Sequence, residues 1–468
     1  MGVGFTMKRL IIICMSFVFA VGLTACKGTS TSSNNQDNRN NMNTNNVAAP
    51  IEEGMPLDET KDGKKTVVVS MLAADDFYLQ AKQKYEAQHP NTTIQFKEFP
   101  TEGATMNPAE VERYIKQITT EVLSGKGADL YAVTTVPLPI DKYVNKKAFV
   151  NLEELIKRDK AFDPSLYQMN IIENSRMNDG IYTLPLQFYM EVLFGDAANI
   201  ENAGVIIDDK NWTWSEFAEI SKKLANKGGQ SVSMGNWPPE LLLNSFISDN
   251  YAKLVNGQTA SFDSAFFTDL LKRVKSLYDD KVIKSEFIDL QKTNFTYSII
   301  TSPSDYLSRL SLYYNNGKIY QKPHSADQQS GVSFLVTREL VMNANSTVKG
   351  EAWNFMKFLM SEEMQSLTEQ TGISINKAVN DKAIKDLVKQ GVISDPKAGR
   401  AIEASEENLQ SFKEMVSEAR LRNYGYNDEH NKLSTIIAEE AKAFFTGQKS
   451  AEATAKLIQN RIMSYLNE

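Results

Sequence analysis

The chain has 468 residues, 42% hydrophobic and 10% aromatic, with 51 Lys and Arg against 58 Asp and Glu. That length is enough for two packed domains. A net charge of −7 without a Lys/Arg cluster argues against a nucleic-acid partner, and two cysteines argue against a disulfide framework.

The N-terminal segment has the layout of a secretory signal: Lys8 and Arg9, a largely apolar run from Leu10 to Leu23, then small residues. The run is too short for a permanent helix across roughly 30 Å of hydrocarbon. Leu23-Thr24-Ala25-Cys26 resembles the lipobox of bacterial lipoproteins, so Cys26 is expected to be acylated and to become the first residue of the processed chain, with Met7 as the start. Processing removes Lys8, Arg9 and Cys14, which takes the net charge from −7 to −9 and leaves Cys26 no partner for an intramolecular disulfide. Two acyl chains, at about 0.8 kcal/mol per buried CH₂, anchor stably where one does not. Residues 28–49 run Gly-Thr-Ser-Thr-Ser-Ser and then asparagine-rich. The segment cannot bury enough apolar surface to offset its chain entropy, and it is expected to be a disordered tether spanning on the order of 25 Å, with the ordered chain starting near Lys64.

The first ordered segment alternates strand and helix. Thr66 to Leu72 is a β-rich run suited to burial on both faces. Phe77, Ala81 and Tyr85 then recur at helical spacing up to His89-Pro90, where proline ends the helix. Ile94 and Phe96 alternate with Gln95 and Lys97 in a second strand. Pro108 opens a second helix with the stripe Val111, Ile115, Ile118 and Val122, closed by Gly125. A third strand covers 128–133. This β-α-β-α-β order predicts a mostly parallel sheet, in which ligands bind beyond the carboxyl ends of the strands. The loops in question are Ala73-Ala74-Asp75-Asp76 and Thr134-Thr135-Val136-Pro137.

Further on, Trp212-Thr213-Trp214-Ser215-Glu216-Phe217 has capping-box spacing at Thr213 and Glu216 and staple positions at Trp212 and Phe217. It predicts a helix start rather than an aromatic ligand platform. Trp237 differs, because Met234-Gly235-Asn236-Trp237-Pro238-Pro239 forbids regular structure and binding residues concentrate in such loops. It is a candidate for ligand contact and for the core alike.

These segments together resemble the family 1 extracellular solute-binding proteins of ABC importers, of which maltose-binding protein is a member. The resemblance runs through YEAQHPNTTIQF, SGKGADLYAV, DGIYTLPLQFYMEVLFGD, NWTWSEFAEISKKL, GEAWNFMKFLMSEEMQ, GISINKAV and the tail FFTGQKSAEATAKLIQNRIMSYL; residues 290–332 depart from the family pattern. It implies two α/β lobes, each a mostly parallel sheet flanked by helices, with the ligand in the cleft between them. One lobe is expected over 66–187 and 338–400, the other over 190–332 and 405–468. Crossings are expected near 184–193, 333–339 and 400–423. The resemblance further implies cleft contacts at Asp75, Asp76, Thr134, Thr135, Gln187, Tyr189, Asn236, Trp237, Tyr424 and Tyr426. An aromatic ring suits the apolar face of a pyranose, and polar side chains suit its hydroxyl rim. The implied role is capture of a carbohydrate by a monomer at the extracellular face of a bacterial membrane and its delivery to an ABC permease, without a cofactor. A surface glycan-binding or sensor-associated lipoprotein without transport is the alternative.

No catalytic constellation competes. His89, His324 and His430 are scattered, and no His-Glu-x-x-His, P-loop or Gly-x-Ser-x-Gly motif occurs. Ser248-Asp249-Asn250 does not make a penicillin-binding site, since the nearby Ser-x-x-Lys, Ser346 to Lys349, lies downstream in the wrong order and no Lys-Thr-Gly occurs. Adjacent acids such as Asp75-Asp76 point apart and read as solvated charges rather than a glycosidase pair.

Overall fold

A computed structural model describes residues 63–467 except 102, 104–105, 134–137, 178, 228–229, 231, 257, 315–316, 327–330, 368–371, 396–399 and 422–429. The expected signal sequence, Cys26 and the expected tether lie outside the described residues, as do Thr134, Thr135, Tyr424 and Tyr426. No helix among the described residues is long and apolar enough to cross a membrane.

The expected first strands and helices form: β1 (Lys65–Met71), α1 (Asp76–Gln88), β2 (Thr92–Glu98), α2 (Pro108–Ser124) and β3 (Leu130–Val133). Asp75 caps α1 by accepting from Tyr78 N at 3.2 Å, and Asn107 with Glu110 forms a full capping box on α2. Gly125 ends α2 at φ +66°, a left-handed position that glycine takes without Cβ strain. β2 and β3 both pair with β1 in parallel, as the intervening helices require.

The sheet then changes character. Two long strands, β4 (Thr183–Asp196) and β7 (Ser333–Met342), run antiparallel, and β7 also pairs antiparallel with β3. β5 (Phe295–Ile300) and β6 (Gly317–Tyr320) add to β4 antiparallel, β8 (Ile373–Ser374) pairs beside them, and β9 (Arg420–Leu421) adds to β7 in parallel. The result is a nine-stranded mixed sheet with main order β6-β4-β7-β3-β1-β2.

Alternation along the strands distributes the cores. On β1, Val67, Val69 and Met71 enter one cluster with Leu184, Phe188, Phe334 and Phe355, while Val68 faces a second, smaller one with Tyr114, Tyr131 and Tyr143. A separate core joins Trp212, Trp214, Trp237, Phe262, Phe295 and Ile458. Helices Pro303–Leu312 and Glu406–Ser417 send Tyr306, Leu307, Phe412 and Met415 into the first core rather than this one. The Trp-Thr-Trp segment is a helix start: α3 (Trp214–Asn226) is capped by Thr213 and Glu216 in a full capping box. Trp212, 2% exposed, packs edge-on to Phe217 at 5.7 Å and donates from Nε1 to Gln321 O at 3.0 Å. Trp212→Ala is therefore expected to destabilise the fold by about 3–5 kcal/mol, read as a lower midpoint in urea unfolding; an unchanged midpoint would contradict the core assignment.

Glu351 ties four elements together. From the helix Lys349–Leu359 it accepts from Tyr85 Oη and Thr92 Oγ1, both at 2.8 Å, and from Lys65 Nζ at 3.2 Å. Burial pushes its carboxyl pKa up, but these hydrogen bonds outweigh burial and hold it below the ordinary value. A depressed folded pKa gives stability that is present above the unfolded value and is lost as pH falls through the folded one. Unfolding measured at a series of pH values should show Glu351→Gln less stable than the parent at neutral pH, by about 1.5–3 kcal/mol. The variant should also lose less stability than the parent between about pH 5 and pH 3.

Candidate functional site

The site follows from one face of β4. Its even-numbered residues Leu184, Leu186, Phe188, Met190, Val192 and Phe194 all enter the first core. Gln187, Tyr189 and Glu191 therefore share the opposite face, spanning about 13 Å at about 3.3 Å per residue. Across the ladder they meet Arg338, Leu335 and Ser333 of β7.

At one end this stripe reaches the carboxyl ends of β1, β2 and β3. Arg338 Nη2 donates to Asp75 Oδ2 at 2.5 Å, and its guanidinium lies over the rings of Phe77 and Tyr78, 4.4 and 5.1 Å from their centroids. Glu98 Oε1 accepts from Ala74 N at 2.5 Å, and Glu339 stands opposite Val133, the last residue of β3. Tyr78 is 2% exposed; burial first, then the carboxylates of Asp75 and Glu339 acting against Arg338, pushes its hydroxyl pKa far up, so it remains a donor at neutral pH.

At the other end, Glu191 accepts from Tyr297 Oη and pairs through Oε2 with Lys322 Nζ at 2.9 Å. The Lys322 side chain is 3% exposed and its ammonium lies 5.2 Å from the Tyr297 ring centroid. Tyr297 stacks on Trp237 at 5.3 Å and 23°, and Tyr278 Oη donates to Trp237 O at 2.6 Å. Carboxylate, ammonium and aromatic faces thus lie side by side.

The structure brings together Asp75, Gln187 and Tyr189 among the candidate residues, and Trp237 joins the stripe through Tyr297 and Glu191. Asp76 is exposed in the first turn of α1. Gln187 is fully buried. Asn236, at φ +60°, spends its side-chain amide on the backbone of Ile288, donating to the carbonyl and accepting from the N–H, each at 3.0 Å. Trp237 is 8% exposed and serves the core as well as the rim. Arg338, Glu191, Tyr297 and Lys322 were not anticipated. The period-two pattern Gln187, Tyr189, Glu191 could have given Glu191. Tyr297 and Lys322 fall in the stretch that departs from the family pattern. Arg338 is hidden by an irregularity: the register shifts on both sides of it, between Val336 and Arg338 and again between Arg338 and Glu339. Simple alternation with Phe334, Val336 and Leu340 assigns Arg338 to the core, and the bulge turns it out.

The chain matches the bacterial extracellular solute-binding protein family over residues 71–366, more than half its length. It belongs to that family. The chain is 22% identical over 345 residues to a protein of Brucella abortus (strain 2308) named as a binding protein, covering 67% of this chain and 76% of that one. The fold is shared with a sugar transporter from Rhizobium etli in an open conformation, at TM-score 0.56 and 18% identity, covering 85% of this chain and 98% of that one. It is likewise shared with an ABC substrate-binding protein of Listeria monocytogenes in complex with cycloalternan, at TM-score 0.53 and 15% identity, covering 86% and 99%. The resemblance to family 1 solute-binding proteins and the two-lobed α/β fold class hold, except that the sheet is mixed where a mostly parallel sheet in each lobe was expected, because the long strands β4 and β7 pair antiparallel; the family binds solutes rather than transforming them.

In a solute-binding protein the buried Lys322–Glu191 pair must stay matched. Lys322→Met leaves a carboxylate without its ammonium in a site the chain has largely desolvated, and should cost about 3–5 kcal/mol. Urea unfolding checks this, and a loss below about 1 kcal/mol would mean that the pair behaves as an exposed one.

Proposed function

We propose that this solute-binding protein is lipid-anchored through Cys26 at the extracellular face of the bacterial membrane. There it captures a carbohydrate, an oligosaccharide, and delivers it to an ABC permease by hinge closure. The observation that carries the proposal is the outward stripe of β4, which runs from the Asp75–Arg338 pair to the Glu191, Lys322, Tyr297 and Trp237 cluster. Hydroxyl rims need donors and acceptors at fixed positions and pyranose faces need aromatic cover, and the stripe offers both. Tyr189, partly exposed between the two ends, is the central contact. Thr134, Thr135, Tyr424 and Tyr426 are proposed to complete the cleft, with Asp76 at its rim; Gln187 and Asn236 support it from beneath. The sugar transporter and the cycloalternan complex among the structural neighbours favour carbohydrate over other polar solutes.

The proposed lobes meet at the crossing strands β4 and β7. One is built on 66–187 and 338–400, with the helices Pro303–Leu312 and Glu406–Ser417 packed on it, and the other holds the core around Trp212 and Phe262. A solute that touches both lobes binds the closed arrangement best and shifts the equilibrium toward it.

A thermal-shift screen of oligosaccharides, followed by small-angle scattering, tests the proposal. A binding oligosaccharide at a hundredfold excess over its Kd should stabilise the fold by about 2.7 kcal/mol and reduce the radius of gyration. A screen without a shift would remove the carbohydrate assignment, and binding at constant radius would remove the hinge. Cys26→Ala should move the protein from the membrane to the soluble fraction at unchanged affinity, because the tether separates anchor from fold.

A further inference from the structure

Arg338 is held from several sides yet not fully used. Asp75 takes Nη2, and the rings of Phe77 and Tyr78 cover its plane. The side chain is 11% exposed, but Nη1 has no hydrogen-bond partner among the described residues. The hydroxyl of Tyr78, whose ring this guanidinium covers, has none among them either, in a residue 2% exposed. Two buried donors on side chains in contact, without acceptors, are costly for the unliganded protein, and a solute oxygen that reached them would relieve that cost.

The surrounding charges say which oxygen. Asp75 is fixed at both carboxylate oxygens, by Tyr78 N and by Arg338, while its side chain stays 51% exposed and able to accept more. Glu98 and Glu339 stand at the same strand ends and Asp76 lies in the first turn of α1, so this end of the stripe is rich in carboxylates. That balance opposes a carboxylate or sulfate on the solute. A neutral hydroxyl has no such difficulty, since it accepts from Arg338 or Tyr78 while its neighbour donates to Asp75.

We propose that Arg338 is a specificity-determining residue of the solute site, reading adjacent hydroxyls of a neutral polyhydroxylated solute together with Asp75 and Tyr78 and disfavouring uronates. The proposal rests on the carbohydrate function above and adds the class of sugar and the residue that selects it.

Calorimetric titration of the full chain with maltotriose, xylotriose, galactotriose and trigalacturonate tests it, on the parent, Arg338→Lys and Arg338→Met, with the unliganded melting temperature of each. The parent should bind a neutral trimer and should bind trigalacturonate at least tenfold more weakly than that trimer. Arg338→Met should weaken the neutral trimer at least tenfold, and Arg338→Lys, which keeps the charge but not the planar fork, should recover part of the loss. Trigalacturonate binding as tightly as the neutral trimers, or Arg338→Met binding them like the parent, would overturn the proposal. A parent that binds none of the four sugars removes the carbohydrate function itself, whereas binding indifferent to Arg338 removes only the role given to this residue. If Arg338→Met fails to fold, Arg338→Lys and the parent's neutral-to-uronate ratio decide.

Discussion

The molecule depends on the antiparallel pairing of β4 with β7. Because strand side chains alternate with period two, one face of β4 is committed to the first core from Leu184 to Phe194, and the other face is left to carry polar groups. A one-residue slip would put Gln187 and Glu191 into the core and expose Phe188 and Met190. The hydrophobic pattern that fixes the register thereby fixes the polar stripe as well, and a site built on strands is held more closely than one built on loops alone.

Both ends of that stripe end in an ion pair, and the two pairs have different physical weight. Asp75–Arg338 has an exposed carboxylate and an enclosed guanidinium, so its attraction is partly screened by water. Lys322–Glu191 is nearly enclosed, where the cost of desolvating two charges rivals their attraction. Neither pair is a strong source of stability. What they supply is geometry, because a charged partner stops Glu191 and Asp75 from wandering and leaves their remaining lone pairs in fixed directions. A hydroxyl-rich solute needs donors and acceptors at set positions more than it needs net charge.

Much of the fold was legible because it follows from local rules. The parallel β2-β1-β3 unit came from strand and helix periods, the α1 end from His89-Pro90, and the Trp212 helix start from capping-box spacing. The mixed sheet was less legible, since antiparallel addition of β5 and β6 to β4 is a long-range choice that no local pattern encodes. Asp75 could be proposed from sequence because it lies beyond a parallel strand. Arg338 was missed because a bulge reverses the face that alternation assigns, and Trp237, open in the sequence to ligand contact or core, packs against Tyr297 and Trp214. Asn236 looked like a ligand donor, yet a left-handed residue beside a second loop is also where an amide can brace two backbones.

The most direct measurement is a crystal structure of the protein bound to an oligosaccharide. The sugar should lie along the outward face of β4, against Tyr189, with one end at Asp75 and Arg338 and an aromatic face toward the Trp237 and Tyr297 end. A sugar seated elsewhere, such as in the cavity of about 290 Å³ lined by Ser302, Ser374, Asn380 and Leu387, would show that the stripe is not the floor of the site.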